Sequence, residues 1–280
     1  MVKLIGCFLL CVVATRGVAI EISYAQLAML QNEGEASLQM SALNHEVTDI
    51  WHQHLRLHRL AKSEVVSVNE QTWVSSLLST EAILSVPNPD HPNQQLVVVD
   101  IAKQASAVKI LWEMKSMAED IERQWQYGSL DWKNVVLHQD KSRAMRWWLT
   151  TISTARAEQV AEHAIQQGIE YVSVNNAMLS ALIQQSRSPV LMQYLWANTP
   201  DAFTYQVLQQ VPNQLNEADA IEQLIVASRN QPLASQAIML LAKHYSHNQK
   251  AQMFLQSALN DPQLQWLTAA AVGMLKDSQP

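Results

Sequence analysis

NQPLASQAIMLLAKHY at 230–245 and NDPQLQWLTAAAVGML at 260–275 are the stretches whose reading decides the fold. Each opens near a proline and continues with Ala and Leu at helical spacing, as in Ile238, Leu241 and Tyr245. Pro232 and Pro262 stand 262 − 232 = 30 residues apart, a span that holds a helical hairpin rather than one helix. In Asp261-Pro262 and Ser188-Pro189 a capping oxygen precedes a proline at the first helical position, where its missing N–H costs nothing. Thr199-Pro200 is read in the same way, and Pro212 adds another mark. The marks leave segments of one helix each, at 190–198, 201–211, 217–229, 233–245, 249–259 and 263–275.

Composition extends this reading to the rest of the chain. After residue 19 only Gly34, Gly128, Gly168 and Gly273 remain, while Ala, Leu and Gln abound, so the turn-rich alternation of a β-sandwich or barrel is out of reach. The expected fold is all-α. Ser23 caps a first helix from Tyr24, which breaks at 32–35 around Gly34. Leu43, Val47, Ile50, His54, Leu57 and Ala61 then recur in steps of four and three, the seam of a helix packed along a partner. Asn69 caps a further helix running to the proline block at Pro87. The β-branched run LVVVD at 96–100 fits a strand or the start of a long helix through Arg123, so a small β element within 64–100 stays open. Further helices are expected at 144–152, at 155–167 with Gly168 as a left-handed C-terminal cap, and at 171–185.

With these segments in place, residues 189–275 resemble HEAT-like repeats: helices opened by proline, with Ala and Leu on the packing face. The resemblance covers about a third of the chain and implies an α-α repeat stack with an extended surface for a partner. The ordered Trp, Gly and Tyr of tetratricopeptide repeats are absent. The domain expectation is a signal peptide at 1–19, a helical N-terminal domain at 20–153 and a helical repeat domain at 154–280.

The signal peptide rests on Lys3 followed by LIGCFLLCVVA at 4–14, an apolar run about half the ~20 residues a spanning helix needs. Gly17-Val18-Ala19 supplies the small residues of a cleavage site after Ala19, with Ala14 as the second choice. Leu4-Ile5-Gly6-Cys7 has the order of a lipoprotein box, yet only Val2 and Lys3 separate it from Met1, which leaves almost no apolar segment before it. Cys7 and Cys11 both lie in the signal, so the mature chain has no disulfide and no thiolate metal site. Such a chain suits the bacterial periplasm, with the external medium as the alternative. Its charge is (19 − 2) − 25 = −8 with histidines neutral, which repels phosphate backbones and argues against nucleic acid. No second apolar run of spanning length follows the signal.

Three constellations invite chemistry, and each has a plainer explanation. His45, Asp49 and His52 share a helix face at i, i+4 and i+7, the spacing of a metal site, while His54 belongs to the seam and His58 lies one turn beyond it. Solvated polar-face histidines explain the set as well. Asn88-Pro89-Asp90-His91-Pro92 places an acid beside a base in a rigid loop, which equally describes a stiffened connection. Trp112, Trp125, Trp132, Trp147 and Trp148 gather aromatic area that could stack on glycan rings or pack helices together. Trp147 and Trp148 point about 100° apart on a helix, so one of them is a candidate for facing a partner. No Gly-x-Ser-x-Gly elbow or phosphate loop is present, and no cofactor is expected. The resulting expectation is a non-enzymatic binding or scaffolding protein for a protein or peptide partner in the cell envelope. The alternative is an exported hydrolase of envelope material using Asp90, His91 and nearby acids.

Overall fold

The computed structural model describes residues 19–32, 44–63, 65–91 and 93–277, so the expected signal lies outside it except for Ala19. The chain is predominantly helical with one small sheet, and it forms two compact units that divide after Glu113. The border expected at 153/154 falls inside the second unit, because Trp132, Met145 and Trp148 before it share one core with Val160, Leu179 and Leu195 after it.

The first unit opens with strand β1 (Ile20–Glu21) and helix α1 (Tyr24–Asn32), whose start is capped by Ser23 Oγ accepting from Gln26 N–H at 3.2 Å. Helix α2 (His45–Lys62) follows, capped by Asn44, and buries Val47, Ile50 and Leu57 of the expected seam together with Trp51 and Leu60. Helix α3 (Val68–Ser76) is capped not by Asn69 but by Ser67, in a capping box with Glu70 three residues on. The Ser67 backbone N–H on the Glu70 carboxylate, then the Ser67 hydroxyl, hold that carboxyl below its ordinary range.

The helix expected to reach Pro87 stops at Ser76, and strands β2 (Ile83–Pro87) and β3 (Gln95–Asp100) follow. The sheet order is β1-β2-β3, with β1 parallel to β2 and β2 antiparallel to β3. Pairing shifts from Leu84↔Val99 to Ser85↔Val97, leaving Val98 as a bulge. Ile83, Leu84, Ser85 and Val86 are all buried, as in a central strand covered on both faces, so β2 shows no alternation. The buried Ser85 hydroxyl donates to Gln95 Oε1 at 2.9 Å, and Gln95 Nε2 donates to Glu21 Oε2 at 2.6 Å, a polar ladder across all three strands. Helix α4 (Ile101–Gln126) begins in the first unit and ends in the second.

In the second unit come α5 (Trp132–Leu137), α6 (Gln139–Leu149), α7 (Thr154–His163), a π-helical turn (Ala164–Gly168), α8 (Ile169–Val172) and α9 (Asn176–Ser186). Then follow α10 (Pro189–Ala197), α11 (Ala202–Gln214), α12 (Glu217–Ala227), α13 (Gln231–Tyr245), α14 (Gln249–Ala258) and α15 (Gln265–Asp277). From α9 onward each helix packs on a near successor: α9 on α10 and α11, α11 on α12 and α13, α13 on α14 and α15. This sequential stacking is the arrangement of a helical repeat. Thr204, Val207, Leu208 and Val211 recur 30 residues on as Ala234, Ala237, Ile238 and Leu241, and again as Leu264, Leu267, Thr268 and Ala271, all facing the core or packed against it.

Ser188 caps α10 as expected, accepting from Leu191 N–H at 3.4 Å. Pro200 does not open its helix: Asp201 caps α11 in a capping box with Thr204. Pro212 lies inside α11, two residues before its end, where its missing N–H removes only a last-turn bond. Asp261-Pro262 forms a turn, and α15 starts only at Gln265. Asparagines at the helix junctions tie one repeat to the next. Asn198 Nδ2 donates to Ser173 O at 2.6 Å and to Asn176 Oδ1 at 2.8 Å, and Asn230 Nδ2 donates to Trp196 O at 2.7 Å and Asn198 O at 3.0 Å. They satisfy carbonyls that helix ends leave without partners.

Candidate functional site

The histidine constellation does not converge. His45 Nδ1 sits 2.9 Å from Asp49 Oδ2, His52 is exposed, and His54 turns into the first unit with Nδ1 3.0 Å from Gln104 Oε1. Among the described residues no group of three His, Cys, Asp or Glu side chains could hold a metal ion. Asp90 and His91 are both exposed on the connection between β2 and β3, where Asp90 N–H bonds Asn88 Oδ1 at 3.0 Å and the His91 carbonyl accepts from Gln94 at 2.8 Å.

The tryptophans separate by unit. Trp112 belongs to the first, where its indole donates to Leu60 O at 3.2 Å. In the second, Trp132 Nε1 donates to His163 Nδ1 at 2.8 Å and Trp148 Nε1 donates to Glu122 Oε2 at 2.7 Å. Trp125 lies between them, its ring centroid 5.4 Å from His163 and 6.4 Å from Trp148. Arg156 completes the cluster through its 2.7 Å contact with Glu122 Oε1. Trp148 is thus a core anchor. Trp147, half-buried against the same core, is the member of the pair nearer solvent.

Gly168 serves this cluster and not a left-handed cap: its φ is −132°, and a Cβ there would lie 2.3 Å from Trp132 Cγ. Left-handed residues end other helices: Gly128, with φ 65°, after α4, and Arg187, with φ 55°, after α9.

Burial pushes the Glu122 carboxyl up, but hydrogen bonds from Arg156, Trp148 and Gln126, with the Arg156 charge, outweigh it and hold it below its ordinary 4.5. A carboxyl lowered in the folded state stabilises the protein above its unfolded value and loses that contribution as pH falls through the folded one. Glu122→Gln is therefore expected to cost stability at pH 7, with the gap to the parent narrowing below about pH 4.5. Urea unfolding of both proteins from pH 7 to pH 3.5 checks this, and a gap independent of pH contradicts it.

The second unit also contains a groove of about 470 Å³ where helix ends meet. Glu158 and Glu162 enter from α7, Arg187 from the α9–α10 junction, Gln214 from the end of α11, and Asn216 and Asp219 from the start of α12. Arg187 turns the chain here by donating its backbone N–H to Ile183 O at 2.7 Å, and Ser188-Pro189 then opens α10. Asp219 accepts from Asn216 Nδ2 at 2.7 Å. The Glu158 and Glu162 carboxylates, exposed one turn apart, have no hydrogen-bond or ion-pair partner among the described residues, and Gln214 Oε1 is buried without one. Three carboxylates against one guanidinium make the groove acidic. None of its charged members is marked out by the sequence, because they come from separate elements and share no local motif.

No family model, curated protein or solved structure matches the chain. Among the described residues no helix is long and apolar enough to cross a membrane.

Proposed function

We propose that this is an exported, non-enzymatic binding protein whose HEAT-like second unit docks a basic segment of a protein partner in the bacterial envelope. The observation that carries the reading is the acidic groove among stacked helices, with two carboxylates that have no ion-pair partner among the described residues. A lysine or arginine side chain supplies what Glu158 and Glu162 lack, and helix junctions present it on a rigid frame. Export is supported by Lys3, the apolar run at 4–14 and the small residues before Ile20.

A decalysine peptide is expected to bind the protein in fluorescence anisotropy and to weaken as salt rises. Glu158→Gln combined with Glu162→Gln should reduce that affinity about tenfold, on the order of 1.4 kcal/mol, and leave the thermal midpoint within a degree or two because both side chains are exposed. Equal binding by the double variant assigns the attraction to the overall negative charge and removes the groove from the reading.

A further inference from the structure

The first unit contains a smaller pocket, of about 310 Å³, beside the start of β1. Glu46 and Asp49 reach it from α2, Glu81 from the segment before β2, and Ile20 and Ile83 from the two paired strands, with Gln53 at its wall. Among the described residues no lysine or arginine lines it. Asp49 has His45 at 2.9 Å, whereas the Glu46 and Glu81 carboxylates have no partner among the described residues, and Gln53 Oε1 is buried without a donor. The positive end of α2 accounts for an acid at Glu46 in its first turn. It accounts neither for Glu81, on another element, nor for the orphaned Gln53 oxygen.

We propose that this pocket receives the α-ammonium of Ile20, created when residues 1–19 are removed, so that processing completes an ion-paired site. The inference rests on the export reading above. A peptidase adds water across the Ala19–Ile20 amide; the acyl carbon leaves as the Ala19 carboxylate and the nitrogen becomes the Ile20 ammonium. Strand register fixes where that charge appears. Ile20 pairs with Leu84, and Ile22 N–H donates to Ser85 O at 2.9 Å, so the parallel ladder aims the Ile20 nitrogen at the Ile83 carbonyl on the pocket wall. Before cleavage that nitrogen is a neutral amide with one hydrogen, which the ladder uses. After cleavage it carries a positive charge and two further donors, which two unpaired carboxylates and one amide oxygen can share.

Intact mass of the protein secreted by a bacterial host tests the processing step, and a first residue other than Ile20 overturns it. The pocket is tested separately on chains given a defined start by tag removal, one at Ile20 and one retaining Ala19, each with and without Glu81→Gln. Followed through the pH dependence of the ¹³C and ¹⁵N resonances of unmodified Ile20, its amine is expected to titrate above the roughly 7.7–8.0 of an ordinary α-amine and to return toward it in Glu81→Gln. Glu81→Gln should lower the thermal midpoint of the Ile20 form and leave the Ala19-retaining form unchanged. An Ile20 amine that titrates in the ordinary range, or a Glu81→Gln effect equal in both forms, overturns the proposal.

Discussion

Gly168→Ala is expected to destabilise the protein by about 1–3 kcal/mol or more, read as a fall in the urea midpoint at unchanged slope. The added methyl would stand 2.3 Å from Trp132 Cγ, 2.6 Å from Cδ1 and 2.7 Å from Cβ, distances at which something must move. The Trp132 ring has little freedom to do so. It is 3 % exposed, its indole N–H is held by His163, and one of the three contacts is its own Cβ, which moves only with the backbone of α5. The strain therefore passes to the π-helical turn or to α5. If this account is right, Gly168→Ala should cost less in a Trp132→Ala background, since the two indole contacts go while the 2.7 Å contact with Cβ stays. Equal cost in both backgrounds would place the effect in the backbone of the turn.

Why Gly168 was misread shows what sequence spacing conveys. A glycine closing an apolar helical pattern is the usual sign of a left-handed cap, and nothing local distinguishes it from a glycine needed for close approach to a residue 36 positions earlier (168 − 132). Conversely, left-handed residues end α4 and α9, and the second of them is Arg187, a type that spacing would not pick out. The repeats were legible because their cause is local: proline, a capping oxygen and apolar residues at helical spacing act within one helix. Strand β2 was not. Covered on both faces, ILSVP has neither the alternation of a half-buried strand nor enough length to separate it from a helix end.

The junction asparagines carry a sequence signal of the same period. Asn198-Thr-Pro, Asn230-Gln-Pro and Asn260-Asp-Pro recur at nearly the repeat length, and the first two asparagines bridge successive hairpins. Attention to proline alone identified the period but placed helix starts at Pro200 and Pro262, where capping by Asp201 and the turn at Asp261 set them differently. The acidic groove was illegible for a different reason. Its charged side chains belong to α7, the α9–α10 junction and α12, three separate places brought together only by the stacking itself. The same holds for Ile20, Glu81 and Gln53 in the first unit.

Trp148→Ala is expected to cost about 3–5 kcal/mol, and Trp147→Ala only about 1–2 kcal/mol, although the two residues are adjacent and chemically identical. Trp148 is 3 % exposed and donates to Glu122, with the Arg156 guanidinium carbon 5.7 Å from its ring centre, so truncation opens a cavity and removes a donor from a partly buried carboxylate. Trp147 is half-buried and its indole has no hydrogen bond among the described residues, so less area and no donor are lost. Trp148→Phe separates the two terms: it keeps most of the packing and drops the bond to Glu122, for an intermediate cost of about 1–3 kcal/mol. Combining Trp148→Phe with Glu122→Gln should then cost less than the sum of the two, because each removes the same contact. Chemical unfolding of the five variants decides the matter. Full additivity, or equal losses for Trp147→Ala and Trp148→Ala, would mean that Trp148 stabilises the unit through apolar area alone and that the Glu122 contact contributes nothing.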